Sequence, residues 1–526
     1  MKKIIGLLSI VFFLFSCQES LLDTVPDDRI STEIFWQTED DAILGANALY
    51  PTLDGNRLFS YDGITDLVHT NRLFEDNSII EAGNADASFS RFLSEWDAAY
   101  TAIRRANDFF ENIDRVETDN TTLISQLKGE VRTIRAYHYL KLVMLFGDVP
   151  LITTSINVDE GKVLTRDPAA DIWDYISTEL TTAAGELPAS YSGNDKGRVS
   201  KGAALGLKAR GMLYAGRYAE AAAAAKQVMD LGVYSLYNSY EDLFQYEGEN
   251  CNEIILDRQF AKDVLSNNYY NTLGPWSLVP GSVGSVYVPT KKLVDMYEMN
   301  NGLSITDSES GFDPYNPYEN RDPRLKQSIF VTGMELPNGK IYNTLPNDPN
   351  ATDPVGGTLY TTTTGWNIKK YIADNDNSTP GNSGINLILL RYAEVLLTYA
   401  EAKIELNEID NSVYNAINQV RGRVSVNMPE IATNLSQDVL REIVRKERAI
   451  ELAFEGTRLF DIRRWNIAHE VMPETVYGMT YEENGSLVTI EITGYNRVFD
   501  SSRDYLWPIP QKERELNQNL EQNPKW

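Results

Sequence analysis

The sequence predicts a mostly α-helical fold, in which tetratricopeptide-like helix pairs are interrupted by a long, irregular, loop-rich insertion carrying short strands. Three observations predict it. Apolar residues recur every three or four positions over long stretches of both halves of the chain. Small and aromatic residues at Ala209, Gly216, Tyr218, Ala221 and Ala225 match the spacing that lets paired helices pack closely. Residues 235–385 are rich in Gly, Pro, Asn and Thr, which break helices and make turns.

At the start, Lys2-Lys3 precede an apolar run from Ile4 to Phe15, followed by Ser16-Cys17. This is the order of a secretory signal, over 1–16, and the run is too short for a stable span. Cys17 after Leu14-Phe15-Ser16 resembles a bacterial lipobox, where the thiol is acylated. Each buried acyl methylene contributes about 0.8 kcal/mol, so several chains would hold the protein to lipid through Cys17. Residues 17–30 read as an extended tether, and 31–526 as a single helical domain.

Thr38 and Asp41 form a capping-box start, with Ile43, Ala46, Tyr50 and Leu53 following at helical spacing. Residues 56–90 read as irregular. Helix resumes from Phe92 to Val116, on the stripe Trp96, Tyr100, Ile103 and Asn107, and again from Ile124 to Phe146. Gly147 ends that helix and Pro150 prevents its resumption. Residues 168–187 and 199–232 continue the pattern, and Arg391–Asn407 with Val413–Val424 reads as a further pair. Within the insertion, Glu253–Leu256 and Gln327–Val331 have strand-like composition.

The totals exclude several functions. Net charge is −27, and loss of the signal makes it two units more negative. Such a surface repels phosphate backbones, so no nucleic acid partner is expected. With Cys17 acylated, Cys251 has no partner and reads as a small apolar filler. His69, His138 and His469 lie far apart, without ligand spacing, and no Gly-rich phosphate cradle occurs. Asp313, Asn316, Glu319, Asn320 and Asp322 cluster without EF-hand spacing and read as a solvated acidic loop. No metal and no cofactor are therefore expected.

Three tracts carry a resemblance: Leu389–Lys403 (LLRYAEVLLTYAEAK), Glu447–Trp465 (ERAIELAFEGTRLFDIRRW) and Tyr505–Trp526 (YLWPIPQKERELNQNLEQNPKW). Shorter ones are Leu22–Ala48, Trp96–Asn107, Arg135–Leu151 and Asn320–Leu325. Together the chain closely resembles the SusD/RagB family of outer-membrane nutrient-binding lipoproteins of the Bacteroidetes type. The resemblance implies one α-rich body on four tetratricopeptide-like pairs. It also implies a SusC-like TonB-dependent outer-membrane transporter as partner, and a glycan as cargo. A peptide-binding RagB-type receptor and a pure interaction scaffold on the transporter are the alternatives.

The most enzyme-like patch is Glu447, Glu451, Glu455 and Asp461 among Arg448, Arg458, Arg463 and Arg464. Glycoside hydrolysis needs one carboxyl kept protonated beside one kept ionised. Arginines at this density hold all of them ionised, which predicts a salt-bridge network and no enzyme.

A sugar site needs flat rings for apolar C–H faces, with amides and charged groups around them for hydroxyls. Trp36, Trp96, Trp173, Trp465 and Trp507 lie on helical stripes or in the recognised tracts and are expected in the core. Two loop clusters remain. One holds Tyr61, Asn71, Arg72 and Phe74; the other holds Tyr269, Tyr270, Trp276 and Tyr287. Trp366 and Tyr360 form a third set. Trp276 ranks first, because Gly274-Pro275 would present its ring on a turn.

Overall fold

The computed structural model describes residues 35–526; the signal, Cys17 and the tether lie outside them. The chain is mostly helical. Thr38 caps α1 (Glu39–Asn47) reciprocally with Asp41, as the spacing predicts. The long helices follow as α2 (Ser90–Asn112), α3 (Thr121–Phe146), α4 (Ala169–Glu186), α5 (Lys201–Tyr214) and α6 (Tyr218–Asp230). After the insertion come α7 (Tyr392–Glu405), α8 (Asn411–Arg421) and α9 (Gln437–Glu451). Gly147 ends α3 at φ +73°, a conformation open to glycine.

Each helix packs on the next: α2 on α3, α3 on α4, α4 on α5 and α5 on α6. Helix α7 then packs on α6 although the insertion separates them in sequence, and it carries α8 and α9 on its other sides. Close approach is built in. A Cβ on Gly206 of α5 would lie 2.6 Å from a methyl of Leu390. One large apolar core cluster runs from Trp36 to Leu520, with two small ones beside it, around Met212 and around Ile462.

Short antiparallel strands decide where the insertion goes. β2 (Ile254–Arg258) pairs with β6 (Leu387–Arg391), so the insertion leaves and returns at one place. β1 (Val68–Thr70) pairs with β3 (Tyr287–Pro289), with Thr70 opposite Tyr287. β4 (Ile329–Phe330) pairs with β5 (Asn367–Ile368), and β7 (Tyr477–Glu483) with β8 (Ser486–Glu491). Residues 56–90, expected to be irregular, instead hold β1 and two one-and-a-half-turn helices, Arg57–Asp62 and Asp76–Glu81, much of it buried.

Beneath the repeats lies a buried ionic network. Arg391 contacts Glu253 at 2.9 Å, Glu451 at 2.7 Å and Glu455 at 2.7 Å. Arg423 and Arg324 reach Glu451 at 2.8 and 2.9 Å, Arg421 reaches Glu447 at 3.0 Å, and Lys370 reaches Glu455 at 2.8 Å. Burial opposes the charge on Glu451, but Arg423, Arg391 and Arg324 outweigh it and hold the carboxyl well below the usual range. The salt-bridge reading of this tract holds, with different partners. Of the neighbouring arginines, Arg448 and Arg464 pair with Asp461, while the glutamates use cations distant in sequence.

Candidate functional site

The β1–β3 ladder brings together segments more than two hundred residues apart. It continues past Thr70, since the Asn71 amide donates to the Val286 carbonyl at 2.9 Å. Asn71 then joins a third segment: its Nδ2 donates to the Thr361 carbonyl at 2.8 Å, and its Oδ1 accepts from the Thr363 amide at 2.8 Å and hydroxyl at 2.6 Å. Tyr495 closes the junction by donating to the Asn71 carbonyl at 2.8 Å. β7 holds the third segment from behind, the Met479 amide donating to the Thr364 carbonyl at 2.7 Å.

Arg72 lies fully buried in this junction. It donates to the carbonyls of Leu359 (3.4 Å), Val283 and Gly284 (2.5 Å), and pairs with Glu75 at 3.2 Å. Its guanidinium carbon lies 5.2 Å from the centre of the Tyr360 ring. On the segments so joined, large apolar side chains stand in solvent: Leu73, Phe74 at 62% exposure, Val283, Leu359, and Tyr360 at 39%. Apolar residues carried singly are ordinary on a surface, but five on three bonded loops form a patch, the usual mark of a binding surface.

Trp276 borders the patch. It opens a turn at Trp276–Leu278 and is half-buried, with its Cα against Gly284. Asp353 fixes that turn, accepting from the Ser277 amide at 2.9 Å. Burial raises the Asp353 carboxyl above its ordinary value, partly offset by the Ser277 donors.

The sequence-predicted site residues divide. Phe74 and Trp276 lie at the patch, and Tyr360 proves to be its second open ring. Tyr61, Tyr269, Tyr270 and Trp366 do not stand in solvent and are corrected to core positions. Tyr61 is buried against Phe460 and donates to Glu95 at 3.0 Å. Tyr269 packs between Phe59, Phe260 and Tyr371. Tyr270 is fully buried, and the Trp366 indole donates to the Tyr318 hydroxyl at 3.0 Å. Tyr287 is half-buried on β3, its ring against Gly63. Asn71 and Arg72 are also buried, bonded to protein and not to solvent. The physical reason is common to all: segments distant in sequence enclose loops that look open in it.

Other chemistry is absorbed by structure. Glu319 pairs with Lys326 and Asp322 with Arg324, and among the described residues no set of three His, Cys, Asp or Glu converges as a metal site. His69 and His138 are buried, which lowers both to about 3. Cys251 is half-buried, and burial raises its thiol. Among the described residues no helix is long and apolar enough to cross a membrane.

Comparison with known proteins agrees with this architecture. The profile of the SusD family matches residues 252–526, and one described as starch-binding, associating with outer membrane, matches residues 22–213. A SusD-like protein of Formosa agariphila is 27% identical over 90% of this chain and 92% of its own length. The crystal structure of a SusD-like carbohydrate binding protein from Bacteroides fragilis is 30% identical and superposes with a TM-score of 0.84, covering 93% of this chain and all of that one. A laminarin-binding SusD-like protein shares the fold at 21% identity, with a TM-score of 0.72 over 93% of this chain and all of that one. The chain belongs to the SusD family, a group of mostly helical proteins with tetratricopeptide-like pairs.

Proposed function

We propose that this protein binds a glycan on the Phe74–Tyr360 patch without altering it, and passes it to a SusC-like TonB-dependent outer-membrane transporter. The observation that carries the reading is the pair of open rings, with Trp276 beside them, on loops held by buried bonds. Flat rings suit the C–H faces of sugars, and Ser282, Thr358, Thr363 and Glu75 nearby supply hydroxyl and carboxylate partners for sugar hydroxyls. The 30%-identical relative is a SusD-like carbohydrate binding protein, which supports the same class of ligand.

The carboxylates that would serve a glycosidase are occupied: Glu447, Glu451 and Glu455 are buried among cations. Attachment through an acylated Cys17 and a place at the cell surface complete the proposal. Isothermal titration against polysaccharides and oligosaccharides tests it, with chromatography of the recovered sugar. Binding with unchanged sugar is the expected result. No binding across the panel, or binding of peptides alone, would overturn it.

A further inference from the structure

We propose that Arg72 is the positioning residue of this platform: its buried guanidinium sets the loops that present the rings and touches no ligand itself. The inference rests on the glycan reading above, and deepens it by separating the groups that hold the site from those that grip.

The nitrogen inventory decides between contact and support. Nε donates to Leu359, Nη1 pairs with Glu75, and Nη2 donates to both Val283 and Gly284. All three nitrogens are engaged and the side chain has no exposed surface. A ligand would have to displace a protein partner to reach it.

The partners are equally telling. Three are backbone carbonyls outside any ladder, on two loops more than seventy residues apart. The Gly284 carbonyl is buried and loses stability without a donor, and the guanidinium reaches it and the Leu359 carbonyl together only when both loops are in place. The same group covers one face of Tyr360, while the ring remains partly open to solvent. A cation is attracted to the face of an aromatic ring, which favours one ring orientation. Lysine cannot replace it, because its three donors share one atom and cannot fork to separate loops.

Loss of the fork therefore frees 281–284 and 356–360 together. The Asn71 bonds and the β1–β3 ladder remain, so the body of the protein keeps its fold. The rings must then be ordered during binding, at a cost in affinity.

Hydrogen exchange and titration on Arg72→Gln, Arg72→Lys and Phe74→Ala test this. Arg72→Gln should raise amide exchange in both loops together, and weaken glycan binding about tenfold or more, by analogy with lost preorganisation. Arg72→Lys keeps the charge and serves as the variant surest to fold; it should still show faster exchange in both loops and weaker binding. Phe74→Ala should weaken binding with exchange unchanged. Wild-type protection and affinity in Arg72→Lys, or loosening of one loop alone in Arg72→Gln, would overturn the assignment. If the unaltered protein binds no glycan, the proposed function fails while the exchange measurements still decide whether Arg72 couples the loops.

Discussion

At the scale of residues, the rings in this protein divide into open and buried ones. Phe74 and Tyr360 are open, so removing Phe74 should leave stability nearly unchanged and removing Tyr360 should cost only its contact with Arg72, while either weakens a stacked ligand. Phe74→Ala and Tyr360→Ala are each expected to lose about tenfold in glycan affinity, roughly 1.4 kcal/mol, read by titration. Tyr269 is the opposite case. Enclosed by Phe59, Phe260 and Tyr371, its replacement by alanine should cost about 3–5 kcal/mol in urea unfolding, as large buried rings do. In sequence these two kinds look alike, since Tyr269-Tyr270 and Phe74 all sit among amides in non-periodic stretches. What distinguishes them is enclosure by distant segments, which carries no local signal. The Thr38–Asp41 cap, by contrast, is a contact three residues long and was legible directly.

At the scale of elements, helices α2 to α8 were read to within a few residues because their periodicity is internal: Ile124–Phe146 is extended by one turn to Thr121, and 168–187 shortens to Ala169–Glu186, whereas α9 ends at Glu451, short of the Glu455 that its four-residue glutamate spacing suggests. Strand partners were not, since β1 finds β3 across more than two hundred residues. The β7–β8 hairpin did carry a local signal that the reading passed over. Asn484-Gly485 occupies its turn with φ +52° and +83°, the left-handed pair that such dipeptides favour. The helix-borne ionic network yields a second class of prediction. Arg391→Met leaves Glu253, Glu451 and Glu455 short of a cation and should cost about 3–5 kcal/mol.

Protonation tests the same network. Glu451 and Glu455 are held below their ordinary values, so their stabilisation is present above the unfolded carboxyl value, near 4.3, and is lost as pH falls through the lowered native values. Asp257 has the reverse sign. Burial, with Glu249 adding to it, raises its carboxyl to about 7, so the native state binds the extra proton between about 4 and 7 and stability falls across that window as pH rises. Asp257→Asn should reduce that slope, with Asp62 and Glu81, also raised to about 7 by burial, keeping the remainder; an unchanged slope would contradict the assignment.

At the scale of the whole molecule, stacked helices form a scaffold and the insertion, closed at its base by β2–β6, carries two of the three loops of the exposed patch. The strongly negative surface gives little reason for attraction to anionic lipid, so attachment in this account depends on Cys17. Cys17→Ser should move the protein from the membrane fraction to the soluble fraction, seen by fractionation and immunoblot. Phe74→Ala should remain with the transporter on co-purification, because the rings serve the ligand and not the partner.

The central claim is that two solvent-facing rings, and not the buried aromatics of the neighbouring loops, hold a glycan. Isothermal titration of the Phe74→Ala/Tyr360→Ala double variant, with a glycan first found to bind the unaltered protein, tests it most directly. Affinity should fall about a hundredfold, with the melting temperature nearly preserved. Retention of full affinity in the double variant would contradict the account.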